Sequence, residues 1–230
     1  MICLPKLIRQ AAASEHGRML EEVIRNGRPL PLRVRLRLED PETLPAAALG
    51  LALQRVTELT YRPTDTSIAL LDGLLECARP DGSFGSISAT AVALAALHAA
   101  LDQLDALPVA FRRMREEDPH DPLVRARSAA ASALHFLTQA QCRSDPSEPD
   151  EPLSDGLIGD ELDSTITLWQ LGFNARFAGA IRYESLLAAV EDRGLRHDRG
   201  ARTLLDGLDR TGREQATPGV RRRDDRRSAA

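Results

Sequence analysis

Two stretches of the chain read alike. Leu70 to Leu97 runs LLDGLLECARPDGSFGSISATAVALAAL. The second runs ALHFLTQAQ, then a Pro- and Ser-rich insertion, then DGLIGDELDSTITLWQL, ending at Leu171. Each holds a helix-like segment, an Asp-Gly-x-x-Gly loop, and a short polar bridge to a Thr that opens an apolar helix. Asp81-Gly82-Ser83-Phe84-Gly85 answers Asp155-Gly156-Leu157-Ile158-Gly159, and Thr90 answers Thr165, with one extra residue in the second copy. Two copies of one supersecondary unit predict stacked helix pairs.

The loop chemistry fits a reversal between packed helices. Gly82, Gly85, Gly156 and Gly159 can take φ > 0 without a Cβ clash. Asp81 and Asp155 can accept from nearby backbone N–H groups. Phe84 and Ile158 would turn back into the core, and Ser88, Asp163 and Ser164 are good caps for the helices that follow.

Composition points the same way. Of 230 residues, 43% are apolar and 3% aromatic, with Ala and Leu dominant, a mix that favours helix over sheet. Apolar stripes at helical spacing mark residues 42 to 60, then a helix capped by Thr64 or Asp65, then one opened by Ser86 or Ser88. Further helices are expected over 122 to 141, 163 to 173 and 183 to 192, with the polar stretch Arg112 to His120 between the third and fourth. At the start, Ser14 would cap a short helix through Ile24, and Asn26-Gly27 would stop it. Leu32 to Leu38 alternates Arg with Val or Leu, the period-two pattern of an extended edge segment.

The expected organisation is an N-terminal extension over residues 1–40, a repeat domain over 41–193 with a mobile loop at 143–154 (RSDPSEPDEPLS), and a basic, disordered tail over 194–230. From Arg193 onward there are eleven Arg against six acidic residues, about +5 within a chain whose net charge is −4. A solvated tail is the simpler reading of its Arg run, because two Asp split it and no aromatics interleave for nucleic acid. Cys3, Cys77 and Cys142 form no CxxC pair, which fits a reduced cytoplasmic chain. Met1 to Ile8 is too short an apolar run for a signal peptide. No stretch is expected to supply the ~18 to 20 apolar residues that cross a bilayer.

The loop with its flanking helices resembles the repeats of the terpenoid cyclase and protein prenyltransferase superfamily, in which an outer helix ending in Gln leads through DGSFG or DGSWG to an inner helix. LTQAQ with DGLIG, and LLECARPDGSFG, carry the likeness over roughly residues 64–173. The resemblance implies an all-α fold, an α/α toroid whose inner helices line a cavity. A closed toroid takes about six helix pairs, and at ~35 to 50 residues per repeat this chain supplies about three or four, a partial toroid.

The resemblance also implies a candidate acid. Class II terpene cyclases carry Asp-x-Asp-Asp-Thr where this chain has Glu161-Leu162-Asp163-Ser164-Thr165, and the middle Asp protonates an alkene or epoxide. Matched by residue, Asp163 falls on that acid, Glu161 on the first Asp and Ser164 on the third. Such an acid must stay protonated until used, which apolar surroundings and a neighbouring carboxylate achieve; Glu161 would be that neighbour. The plainer reading makes Asp163 a helix cap. Phe84, Trp169 and Phe173 are the aromatic residues placed to line a cavity, few for an enzyme that stabilises carbocations.

Other chemistry finds little support. The zinc-binding Asp, Cys and His of prenyltransferases have no counterpart, since Cys77, His98 and His135 fall in different helices. The Cys and Gln spacing of the thioester proteins is missing, as are a phosphate loop and a nucleophile elbow. No cofactor or metal is implied. The function expected is a non-catalytic helical-repeat module acting through a protein partner or a homo-oligomer. The alternative is a small cyclase using Asp163 on a polyprenyl substrate, with a prenyl or terpenoid ligand; a third is a relic or fragment of a longer cyclase.

Overall fold

The chain is all-α. A computed structural model describes residues 4–26, 30–141, 156–172, 177 and 180–192. Nine helices occur among the described residues: α1 Leu4–Asn26, α2 Leu32–Leu38, α3 Leu44–Leu59, α4 Asp65–Glu76, α5 Ile87–Asp105, α6 Val109–Glu116, α7 Pro122–Ala140, α8 Glu161–Leu171 and α9 Tyr183–Asp192.

Local sequence explains most of the boundaries. Thr64 and Ser67 close a reciprocal capping box on α4, satisfying two of the N–H groups that a helix start leaves open. Ser86 accepts from the N–H of Ala89 to start α5. Asp121 accepts from Leu123, with Pro122 in the first turn, to start α7. At the far end of α8, Gly172 takes φ +55°.

The middle layer is α3, α5 and α8, with α5 in contact with both neighbours. On one side α4 packs on α3, α7 on α5 and α4, and α9 on α8. The apolar core between these two layers contains Leu53, Leu71, Leu74, Leu94, Leu97 and Phe84, each at most 1% exposed. Burial of side chains this size stabilises by about 1.5–3 kcal/mol each before the cost of ordering the chain. Small residues bring α3 and α5 together: a Cβ on Gly50 would stand 2.9 Å from a methyl of Val92.

The opposite face of the middle layer is covered by α1 and α2. α1 lies on α3, and α2 touches α3, α5 and α8. Leu20, Val34 and Leu38 pack there against Ala47, Ala48, Val92 and Ile166.

Four expectations are corrected. α1 begins at Leu4, so Ser14 lies inside a helix and does not cap one. Residues 32–38 are helical, not extended. A strand would place Leu32, Val34, Leu36 and Leu38 on one face and needs a partner strand to pair its backbone. As a helix, the segment satisfies its own backbone and buries Val34 and Leu38, four residues apart, while Leu32 and Leu36 stay 70% and 58% exposed. The polar stretch after α5 contains α6, none of whose residues is buried. α5 does reach the length and apolarity of a bilayer span, but 72% of its most apolar window is buried by other helices, the pattern of a central core helix.

Of the residues singled out in the sequence, Asp155, Phe173, Cys3, Cys142, the insertion at 143–154 and the basic tail lie outside the described residues.

Candidate functional site

The two loops superpose in chemistry, and their register differs from the sequence expectation. The N–H of Phe84 donates to Thr90 Oγ1 at 2.9 Å; the N–H of Ile158 donates to Ser164 Oγ at 2.9 Å. Ser86 and Asp160, each following the second loop glycine, are the N-caps. Thr90 therefore corresponds to Ser164, not Thr165, and no residue is inserted. Thr165 instead donates to the Glu161 carbonyl one turn back.

The loops also dock alike. A Cβ on Gly82 would press on the Ser132 carbonyl of α7, and one on Gly156 on the Ser185 carbonyl of α9. Gly85 faces the Glu42 carbonyl just before α3, and Gly159 faces Ile87 at the start of α5. Each loop is thus wedged between the next helix of one layer and the preceding helix of the other, one unit used twice in succession. Asp81 accepts from the Ser83 N–H at 2.9 Å, and that backbone bond holds its carboxyl below the usual value. Gln141, ending α7, is buried; its amide donates to Gly156 O and Arg182 O, and its oxygen accepts from the Arg182 N–H. Gln141 thereby ties the second loop to the residues leading into α9.

Phe84 and Ile158 point into the core. Phe84 is thus a core residue, touching only the floor of a shallow depression of about 280 Å³ beside Arg79 and Arg125. Trp169 does line a cleft, of about 630 Å³, with Val23, Ile24, Leu51, Gln54 and Gln170. Gln54 spans its wall, donating to Gln170 Oε1 and to the Val92 carbonyl.

Asp163 is not a cap. Asp160 caps α8, accepting from the Asp163 N–H at 2.8 Å, and Asp163 sits in the first turn with 7% exposure. Its carboxylate accepts from the Ser88 hydroxyl at 2.5 Å and stands 3.7 Å from the Arg37 guanidinium. Arg37 also pairs with Asp160. One guanidinium of α2 is therefore shared by two carboxylates at the start of α8, while α5 holds the deeper one through Ser88.

Burial pushes the Asp163 carboxyl above its usual value, with the charge of Asp160 adding, against the opposing Ser88 bond and Arg37. Asp160 goes the other way: burial alone would raise it, but the Asp163 N–H and Arg37 outweigh that and hold it low. The carboxylate acting on Asp163 is that of Asp160, a residue the sequence reading passed over along with Arg37. An ungapped alignment of the two loops, which pairs Asp160 with Ser86, is the signal that would have found it.

The acid and the cleft are apart. Trp169 lies six residues along α8 from Asp163, roughly 9 Å at helical rise, and Asp163 is not among the residues lining that cleft. Among the described residues no group of three or more His, Cys, Asp or Glu is placed to hold a metal ion. The Cys77 thiol, half-buried after α4, is pushed up by burial, with Glu76 adding, which makes it a poor nucleophile. Comparison with family models, with curated proteins and with solved structures finds no match to the chain.

Proposed function

We propose that the chain is a non-catalytic helical-repeat module, a partial α/α toroid of the terpene cyclase and prenyltransferase type, that works by associating with a protein or with its own copy. The observation that carries this reading is the cover formed by α1 and α2. A cyclase needs its acid to face an open apolar cavity on the inner side of the middle layer. Here that side is covered by Leu20, Val34 and Leu38, the cleft left on it at Trp169 is not lined by Asp163, and Asp163 is engaged by Arg37 and Ser88. A carboxylate beside a guanidinium is a clasp between helices before it is a proton donor.

The experiment is light scattering on the purified protein combined with a fluorescent dye for apolar surface. An association module is expected to self-associate or to bind the dye. A monomer that leaves the dye dark would sink the reading.

The cyclase reading keeps one observation in its favour, the raised carboxyl of a buried Asp163. Asp163→Asn separates the two. If Asp163 is a clasp, the variant still folds, with its hold on Arg37 weakened and the pH dependence that the carboxyl gives to stability removed. The sign follows from linkage. A carboxyl raised in the folded state takes up its proton there first, so its contribution to stability increases as pH falls from the folded value toward 3.8, the ordinary value, and is constant below. Asp163→Asn should therefore lack that gain on acidification, while the loss expected from Asp160, whose carboxyl is held low, remains. Urea denaturation at a series of pH values checks this. Turnover of a polyprenyl substrate by the unaltered chain, abolished in Asp163→Asn, would establish the enzyme instead.

A further inference from the structure

Seven large apolar side chains are markedly exposed among the described residues, and five of them lie at one end of the molecule: Leu59, Tyr61, Val109, Phe111 and Met114. The turn after α3 and the start of α6 meet there, where Arg62 and Pro63 face Leu107, Pro108 and Phe111 across a small cleft of about 190 Å³. Gln103 of α5 fixes this turn from beneath, donating to the Thr60 carbonyl at 2.8 Å and to its hydroxyl at 2.9 Å. The patch is thus held on a rigid end of the helix stack. Exposed apolar side chains gathered at one end of a fold mark interaction sites more often than singly scattered ones do.

α6 is amphipathic in the wrong sense for a lone surface helix. Ala110, Phe111 and Met114 share a face at helical spacing, and all three are exposed. Beside that face stand Arg113 and Glu117, four residues apart on one edge. Neither has a partner among the described residues, whereas Arg115 is paired with Asp121 and Glu116 with Arg127. Within one helix a cation followed by an acid four residues later is the weaker order for a pair. Across a two-fold axis the same two charges are self-complementary. An antiparallel second α6, with the axis passing beside Arg115, sets each Arg113 opposite the other copy's Glu117, brings the two Met114 side chains together near the axis, and places one Phe111 about 6 Å to either side of it along the helix. Isologous contacts of this kind are the commonest way that identical chains close on one another.

We infer that the occupant of this surface is a second copy of the chain, docked α6 against antiparallel α6, with Arg113 and Glu117 paired in both directions. The inference rests on the proposed reading of the chain as an association module and names its partner. Neighbouring acids at the end of α6 (Glu116, Glu117, Asp118) argue against an anionic membrane as the occupant, because they would oppose the attraction of its arginines to that surface.

The test is light scattering on the full chain across a range of concentrations. The unaltered protein is expected to reach twice the 25.1 kDa of one chain. Arg113→Glu and Glu117→Arg, each placing like charges opposite one another, should each return the mass to that of one chain. The double variant Arg113→Glu/Glu117→Arg should restore the doubled mass, because position 113 of one copy again faces the opposite charge at position 117 of the other. Phe111→Ser, at a site 59% exposed, should also give single chains, and circular dichroism would confirm that each variant keeps its helices. A single-chain mass for the unaltered protein overturns the inference. So does a doubled mass that the single variants leave intact, or a double variant that stays monomeric. A dimer indifferent to α6 leaves the module reading standing; a monomer dark to the dye removes both.

Discussion

Phe84→Ala is expected to lower the stability of the folded chain by about 3–5 kcal/mol, the range for truncating a buried aromatic side chain. Phe84 is 1% exposed and, with Phe177, is the largest of the fully buried side chains among the described residues. Its backbone is fixed as well: the N–H donates to Thr90 Oγ1 at 2.9 Å, and the glycines on either side of Ser83-Phe84 are wedged against Ser132 and Glu42. Both loop ends are pinned, so the ring's space has little means of collapsing, and the cost should fall high in that range. Phe84→Leu keeps most of the volume and should cost less than about 1.5 kcal/mol. Chemical denaturation with an unchanged slope would measure both. A loss below about 1 kcal/mol for Phe84→Ala would show that the ring is not seated between the helix layers.

The burial of Phe84 bears on the resemblance of its loop to the terpenoid cyclase repeats. In a cavity-lining role the aromatic of the loop would be available to a ligand. Here the same residue fills the space between two helix layers, so the loop motif reports on how a helix pair is joined and carries no information about chemistry. The Asp-Gly-x-x-Gly pattern was legible because each of its positions has a local reason: glycines for a positive φ, Asp for the N–H two residues on, and an apolar residue aimed at the core. The apolar periods of α3, α4, α5 and α7 were legible for the same kind of reason, since a stripe at helical spacing is a statement about one helix alone.

What was not legible depended on a partner element. Leu32 to Leu38 has an apolar residue at every second position, which satisfies a strand's face and also supplies a helix with Val34 and Leu38 on one side. Only the groove offered by α3, α5 and α8 chooses between them. Ser164 and Thr165 are adjacent hydroxyls, and composition cannot tell which one answers Thr90; the bond to Ile158 does. Asp163 read as a cap because carboxylates favour the first turn of a helix. Its true position, buried between Ser88 and Arg37, required α2 to be in place, and α2 was the element that the pattern misassigned.

Among Gly→Ala changes at the described residues, Gly85→Ala should be the most damaging, costing about 2–6 kcal/mol. Gly85 has φ +102°, a backbone conformation that a side chain adopts only at a cost of about 1–3 kcal/mol. A Cβ there would also stand 2.2 Å from the Glu42 carbonyl oxygen, and relieving such overlap costs typically about 1–3 kcal/mol more. The clash is with backbone that leads directly into α3, so neither a rotamer change nor a small side-chain shift relieves it. Gly73→Ala supplies the control. Gly73 lies within α4 and its added Cβ would meet only Leu49 methyl carbons, the nearer at 3.6 Å. In a helix interior that substitution should stabilise, by about 0.4–1 kcal/mol, because it removes conformational freedom from the unfolded chain. Thermal or urea denaturation of the two variants should therefore move in opposite directions. If Gly85→Ala unfolded at the same denaturant concentration as the unaltered protein, the loop would not be wedged against the start of α3, and the repeat geometry that links α3, α5 and α8 through successive loops would fail at its first joint.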